Sequence, residues 1–483
     1  MRLSGRTFHR LFSINLYKNR RLLLGEMDFF KDFTKETRGD PYPVFRRSEG
    51  ARETIGHARY RVTSEDEGGV TRLLCGHFPF ASYEARLRFL RGRAGFVFRA
   101  DGREAAVLLE ADGNGQLFLV VREEGCEERI RMEARFRPGL AFLLSTRGDR
   151  IDVYLAEEGV PRFQTTVTLK ALSGILREEV FRTSFAAFCA GGEAETDRVT
   201  SFLDSGISQA DIRPVKYENG APYVRDGKIY LTLSVRMEEG SYQGVFSWIP
   251  GTAEFEMTGA LFFAAGDGTI AGDVAASLHY DRRVDDWILW ICSFSHGHVL
   301  ARTRARGEFL RGVHIVDVRL MEPMGPGDPD EAFLGKEGDE DPDLIWSEER
   351  EEWILSLCRL TGTERKYRYF FFASEDPLDG YTCFARTGSG EDTGGSLLYD
   401  EGKLLLSCGS RFDARAEYRI YDPENPGAYE LLRFDYDDGG FRGWGSLVAW
   451  ESGNRIRLFH LTFDRAKGSG YNWSYGNLYC FEG

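Results

Sequence analysis

Along residues 26–205 polar and apolar positions alternate with a period of two, in short runs such as ARLRFLRG, GFVFRADG, AAVLLEADG, LFLVVREEG, FRPGLAFLLSTRG and IDVYLAEEG. Each run has the length of one strand and closes on Gly, Asp-Gly or Asn-Gly, the residues that tight hairpin turns require. Apolar positions at helical spacing are scarce. The pattern predicts an antiparallel β-sandwich of jelly-roll type over 26–205. Residues 1–25, MRLSGRTFHRLFSINLYKNRRLLLG, are basic and carry no acid before Glu26. They predict a solvated N-terminal arm.

From residue 206 the pattern changes. All eight tryptophans fall between Trp248 and Trp473, and an internal repeat emerges. Five segments align: APYVRDGKIYLTLSVR from Ala221, SLHYDRRVDDWILWICSF from Ser277, DLIWSEEREEWILSLCRL from Asp343, SLLYDEGKLLLSCGSR from Ser396, and SLVAWESGNRIRLFHLTF from Ser446. Each is a short strand, a tight polar turn and a longer apolar strand, followed by further strand-like runs. Their starts lie 50–66 residues apart, the span of a four-stranded propeller blade with its loops. An all-β chain is therefore expected, a sandwich followed by a five-bladed β-propeller over 206–483, with the aligned segments innermost. The sandwich pattern resembles that of the concanavalin-like, laminin-G-like modules.

Charge narrows the choice of partner. The formal net charge of −14 repels a phosphate backbone and an anionic membrane surface, so nucleic acid and membrane are not expected. A neutral ligand is. The eight cysteines occur singly, without the paired spacing of a zinc or redox centre, and read as reduced thiols. LFSINLY is barely long enough for the apolar core of a signal peptide and is followed at once by Lys18, Arg20 and Arg21, and the expectation is a cytoplasmic protein.

In a propeller the residues just before each first strand converge on one mouth of the central channel. Here those residues include Asp211, Asp273, Asp339, Glu340, Asp341, Glu391, Asp392, Asp437 and Asp438. Carboxylates gathered in one place drive their pKa values apart. Acetal hydrolysis needs that split, with one carboxylic acid to protonate the leaving oxygen and one carboxylate as base or nucleophile.

EDPDLIWSEEREEWILSLC, DGKIYLTLS and TGGSLLYDEGKLLLSCG resemble the third-, first- and fourth-blade strands of the five-bladed propeller glycosidases, the clan of glycoside hydrolase families 43 and 32. The resemblance implies that Asp341 tunes the acid and orients substrate. It also implies a base in the first blade and an acid in the fourth. Ala221-Pro222 stands where the family has Asp-Pro, and Thr393 where it has Glu. Asp211, and Glu391 or Asp392 just ahead of Thr393, are the nearby substitutes.

Asp211, Asp341 and Glu391 are thus the candidate catalytic residues. Arg213, Asp273, His296, His298, Glu340, Asp392, Arg442 and Trp444 are candidates for binding sugar, because guanidinium and imidazole groups bond hydroxyls and rings stack on sugar faces. Asp339, Asp341 and Asp343 alternate like the start of a calcium loop. Arg350 occupies the twelfth position where Glu is required, which excludes an EF-hand and leaves an irregular structural calcium site open. No cofactor is expected. Two functions follow: hydrolysis of a short neutral oligosaccharide or glycoside, or carbohydrate binding (or sugar transfer or elimination) on the same fold.

Overall fold

The computed structural model describes residues 3, 5–28, 42–56, 59–174, 177, 182–238, 240–322, 334–335, 338–361, 366–388, 391–410, 417–435, 445–452, 455–464 and 477–483. The chain is all-β: the described residues form no α-helix, and short 3-10 turns occur at Lys170–Leu172 and Phe294–His296. It divides into two compact units, residues 21–204 and residues 1–20 with 205–483.

In the unit of residues 21–204, three long strands organise one 12-stranded sheet. Arg182–Asp204 pairs antiparallel with Arg59–Gly76, with Ser82–Ala100 and with Arg21–Asp28. Register breaks near its middle, between Phe188 and Glu193 against Ser82–Ala100, let the strand bend. The period-two pattern sends Phe96, Phe98, Val107, Phe142, Leu144 and Phe185 into one core. Gly95 permits a close strand approach there, because a Cβ at that position would meet the Val107 carbonyl oxygen at 2.4 Å.

The second unit contains five groups of consecutive antiparallel strands. The first is Ser208–Pro214, Lys228–Arg236, Ser241–Trp248 and Phe255–Ala264. The second runs Val274–Asp281, Asp286–Ser293, Val299–Ala305 and Arg319–Leu320, and the third Asp339–Ser347, Glu352–Thr361, Lys366–Ser374 and Thr382–Arg386. Asp392–Asp400, Lys403–Ser410, Tyr418–Tyr421 and Tyr429–Phe434 make the fourth; Ser446–Ser452, Arg455–Asp464, Asn477–Glu482 and Thr7–Asn15 make the fifth. The leading strand of each group lies against the leading strand of the next, and that of the fifth against that of the first. Apolar side chains fill the spaces between adjacent groups, with Trp287 between the first two and Trp353 between the second and third.

Two sequence expectations change. The basic N-terminal stretch is not a solvated arm: Thr7–Asn15 pairs antiparallel with Asn477–Glu482 and, at Thr7 and Phe8, parallel with Arg433 and Phe434. Phe8 is fully buried while the neighbouring His9 and Arg10 stay exposed. The alternation that makes a strand is present, and the edge of Asn477–Glu482 supplies the hydrogen-bonding partner. The leading strand of the first group is Ser208–Pro214, not the segment from Ala221. Between it and Lys228–Arg236 the chain makes an excursion in which Lys216–Tyr217 pairs parallel with His279 and Tyr280.

Candidate functional site

Four leading strands carry the same irregularity. Register breaks between Ala210 and Arg213, Val274 and Ser277, Glu340 and Asp343, and Thr393 and Ser396. In each bulge one residue takes the left-handed conformation: Asp211 (φ 51°), Ala275 (φ 57°), Asp341 (φ 54°) and Gly394 (φ 62°). A bulge re-aims the side chain it carries, and Asp and Gly tolerate this backbone better than other residues. Asp211 and Asp341 thereby occupy equivalent positions on the first and third groups. The corresponding residue of the fourth group, Gly394, has no side chain.

The two aspartates share one electrostatic environment. Arg213, from the first group, donates from Nη1 to the Pro342 carbonyl at 2.7 Å, and its Nη2 lies 3.3 Å from Asp341 Oδ1. Asp341 Oδ2 accepts from Thr393 Oγ1 at 3.1 Å and from the Gly394 amide at 3.0 Å. Asp211 Oδ2 accepts from Ser234 Oγ at 2.5 Å, with Arg236 Nη2 at 3.8 Å; no described residue hydrogen-bonds its other oxygen. Burial, then the neighbouring Asp341 carboxylate, push the Asp211 carboxyl up to about 6, against the pull of Arg236, Ser234 and Arg213. One carboxylate is thus held by a guanidinium, a hydroxyl and an amide, while the other is poised near neutrality. That is the division acid–base chemistry needs.

Below them sits a second buried network that sequence reasoning missed. Lys216 Nζ uses all three protons, donating to Asp343 Oδ2 at 2.5 Å, Ser396 Oγ at 2.9 Å and the Leu397 carbonyl at 2.8 Å. Asp343 also accepts from the Leu397 amide at 2.6 Å and from Ser277 Oγ at 2.8 Å. Against its burial, Lys216 above all, with His279 and Arg213 nearby, holds the Asp343 carboxyl well below the usual range, while burial lowers the Lys216 ammonium. Burial brings His279 down to about 3 and keeps it neutral. Because Ser277 donates to Asp343, His279 Nε2, 2.6 Å from Ser277 Oγ, is the protonated nitrogen, and its buried Nδ1 has no partner. The signal for this network was Asp343 itself, two residues beyond Asp341 as Arg213 is beyond Asp211.

Asp273, Asp339 and Asp392 each stand two residues before a bulge, and each is tied down inside its own group. Asp273 accepts from Ser293 Oγ at 2.6 Å and from the Ser295 amide and hydroxyl. Asp339 is gripped by Arg359 at 2.6 and 2.8 Å. Asp392 accepts from Arg419 at 2.8 Å and Tyr421 at 2.9 Å, and burial raises it to about 6. The alternating triad Asp339, Asp341 and Asp343 therefore meets three different cations, Arg359, Arg213 and Lys216, and does not converge on one point as calcium ligands would.

His296 bonds Ser293 and Ser295 and lies 3.3 Å from Asp267. His298 stacks on Phe294 and lies 3.2 Å from Glu340, which also accepts from Tyr367. Glu391, half-buried and in a left-handed conformation (φ 79°), lies two residues before Thr393 and has a buried, unpartnered Oε2. Arg442, Trp444, Asp437 and Asp438 fall outside the described residues.

No protein-family model matches the sequence, and no curated protein does. Among solved structures, the chain is similar to levansucrase of Bacillus subtilis (13% identity, 57% of this chain and 83% of that one, TM-score 0.40). It is similar also to a thermostable family-43 glycoside hydrolase (10% identity, 57% and 88%, TM-score 0.38). A third likeness is to an immunostimulatory antigen and pseudo β-1,3-glucanase of Mycobacterium tuberculosis (16% identity, 38% and 99%, TM-score 0.28).

Proposed function

We propose that residues 206–483, closed by the N-terminal strand, form a five-bladed β-propeller, that residues 26–205 form a jelly-roll sandwich, and that the propeller is a glycoside hydrolase acting on a short neutral oligosaccharide or glycoside. The observation that carries this is the pairing of Asp211 with Asp341. Two bulged leading strands present equivalent carboxylates, coupled through Arg213 and with the field of one raising the proton affinity of the other.

In this mechanism Asp211 is the base, ionised above about pH 6, and its free oxygen is the one that takes a proton or attacks. Asp341 positions Arg213 and keeps negative charge beside the developing oxocarbenium ion, which stabilises it. Glu391 is the proton donor. The bulge of the fourth group carries only Gly394, so the acid has to come from outside the bulge, and Glu391 is the nearest upstream carboxyl with an unsatisfied oxygen.

The test is turnover against binding. Release of chromophore from a panel of aryl glycosides is expected in the native protein and abolished in Asp211→Ala. Sugar-induced change in tryptophan fluorescence is expected to persist in the variant. Fluorescence change without turnover in the native protein would replace hydrolysis with carbohydrate binding.

A further inference from the structure

The unit of residues 21–204 holds a cavity of about 310 Å³ that is remote in character from an acidic chain. Five arginines line it (Arg46, Arg99, Arg103, Arg122 and Arg182) against two glutamates, Glu104 and Glu124. The whole protein carries −14, so this concentration of guanidinium is a local feature with its own cause.

Strand register explains the cavity. Ser184 pairs with Val97, Val97 with Ala106 and Ala106 with Arg122, while in the next row Arg182 pairs with Arg99 and Arg99 with Glu104. These residues share one face of the sheet; their sequence neighbours Phe96, Phe98, Val107 and Phe185 point the other way into the large core. Up to Arg122 at its end the first row is short and apolar or small, while the second is long and charged. A hollow therefore forms with a floor of Ser184, Val97 and Ala106 and a rim of arginines. Phe45, half exposed, stands at the rim with the Arg99 guanidinium 3.8 Å from its ring centroid.

The rim carries more guanidinium than carboxylate. Arg46 and Arg99 share a single carboxylate, Glu104. Arg103 donates to the Ala171 carbonyl at 3.1 Å, and Arg122 reaches Glu127 at 3.3 Å. The Arg182 guanidinium, on a residue whose backbone is held in the strand ladder, forms no hydrogen bond or ion pair with any described residue.

We infer that this cavity is a second ligand site, independent of the Asp211–Asp341 centre, for an anionic sugar unit such as a uronate or a sulfated hexose. A guanidinium fork matches carboxylate and sulfate oxygens in pairs. The apolar floor and the open ring of Phe45 suit the C–H face of a sugar. A bare anion would leave that floor uncovered, and a neutral sugar would leave the Arg182 guanidinium without a counter-charge. The volume, at the lower end of small-molecule sites of about 300–1,000 Å³, limits the buried part to about one ring.

The experiment is calorimetric titration of the full-length protein with trigalacturonate and with a sulfated disaccharide at low salt, beside a neutral glucose trisaccharide and sodium sulfate. At least one acidic saccharide is expected to bind, about tenfold or more tighter than the neutral one and than sulfate, and more weakly as salt rises. Arg182→Ala and Arg46→Ala, both at exposed positions, are expected to weaken it about tenfold each with unchanged thermal unfolding. Arg182→Lys is expected to recover part of the loss. Phe45→Ala is expected to weaken the saccharides and leave sulfate unaffected. Asp211→Ala is expected to bind as the native protein does. Absence of binding by both acidic saccharides overturns the inference. So does equal affinity for the neutral sugar or for sulfate alone, or an Arg182→Ala variant indistinguishable from native.

Discussion

Replacing Lys216 by methionine removes one charge while keeping the length and apolar body of the side chain. The lysine is fully buried, and its ammonium meets three acceptors at 2.5–2.9 Å, of which Asp343 is the charged one. Removing one partner of a buried ion pair costs about 3–5 kcal/mol, because the other charge is left without compensation. Asp343 keeps its bonds from the Leu397 amide and Ser277, which places the expected loss near the lower end, about 3 kcal/mol. For a unit of this size that corresponds to roughly 5 °C in the midpoint of thermal unfolding.

The loss depends on pH in a defined direction. In the native protein the Asp343 carboxyl is depressed, so its contribution is present above the unfolded carboxylate value and fades as pH falls through the depressed one. Without Lys216 the same carboxyl is raised by burial, and stability falls as pH climbs past about 4. The gap between the two proteins is therefore widest near neutrality and closes in acid. The assay is calorimetry of native protein, Lys216→Met and Lys216→Met/Asp343→Asn at pH 7 and pH 4. The double variant is expected to recover part of the loss, since no charge is left unpaired. A single variant within about 1 °C of native at pH 7, or a double variant as unstable as the single, would refute the buried-pair reasoning.

Two further outcomes can be checked. Asp341→Asn removes the carboxylate field that raises Asp211 and the partner that positions Arg213. Turnover is expected to fall by about 100-fold or more, with the acid limb of kcat/KM moving below about pH 6; an unmoved limb would show that Asp211 is not the titrating base. Gly95→Ala forces a methyl to 2.4 Å from the Val107 carbonyl and 2.8 Å from Leu108 Cα, and is expected to cost about 1–3 kcal/mol by overpacking. Urea unfolding of Gly95→Ala at an unchanged midpoint would contradict that close approach.

The division between what chain order determines and what folding decides follows the range of the interactions. Strand identity was legible because it is local. Period-two alternation and turn residues mark Arg150–Glu157, Asp286–Ser293 and Lys403–Ser410 without reference to any partner. Acidic residues ahead of successive strands were legible for the same reason. Pairing was not legible. Thr7–Asn15 carries a strand pattern under a basic composition, and only the open edge of Asn477–Glu482, more than 460 residues away, makes it a strand.

Which partner each aspartate meets was equally hidden. Asp339, Asp341 and Asp392 look alike in sequence, yet Arg359, Arg213 and Arg419 give them different partners. Arg359 and Arg419 come from the aspartates' own groups of strands, whereas Arg213 comes from another group and is brought to Asp341 only by the tertiary structure. Lys216 is the sharpest case. Nothing in PVKY marks a buried ammonium; the excursion that pairs Lys216 with His279 carries it to Asp343. A charge can stay in the interior only where long-range contacts assemble enough acceptors to replace water, and that condition belongs to the fold and not to the neighbourhood of the residue along the chain.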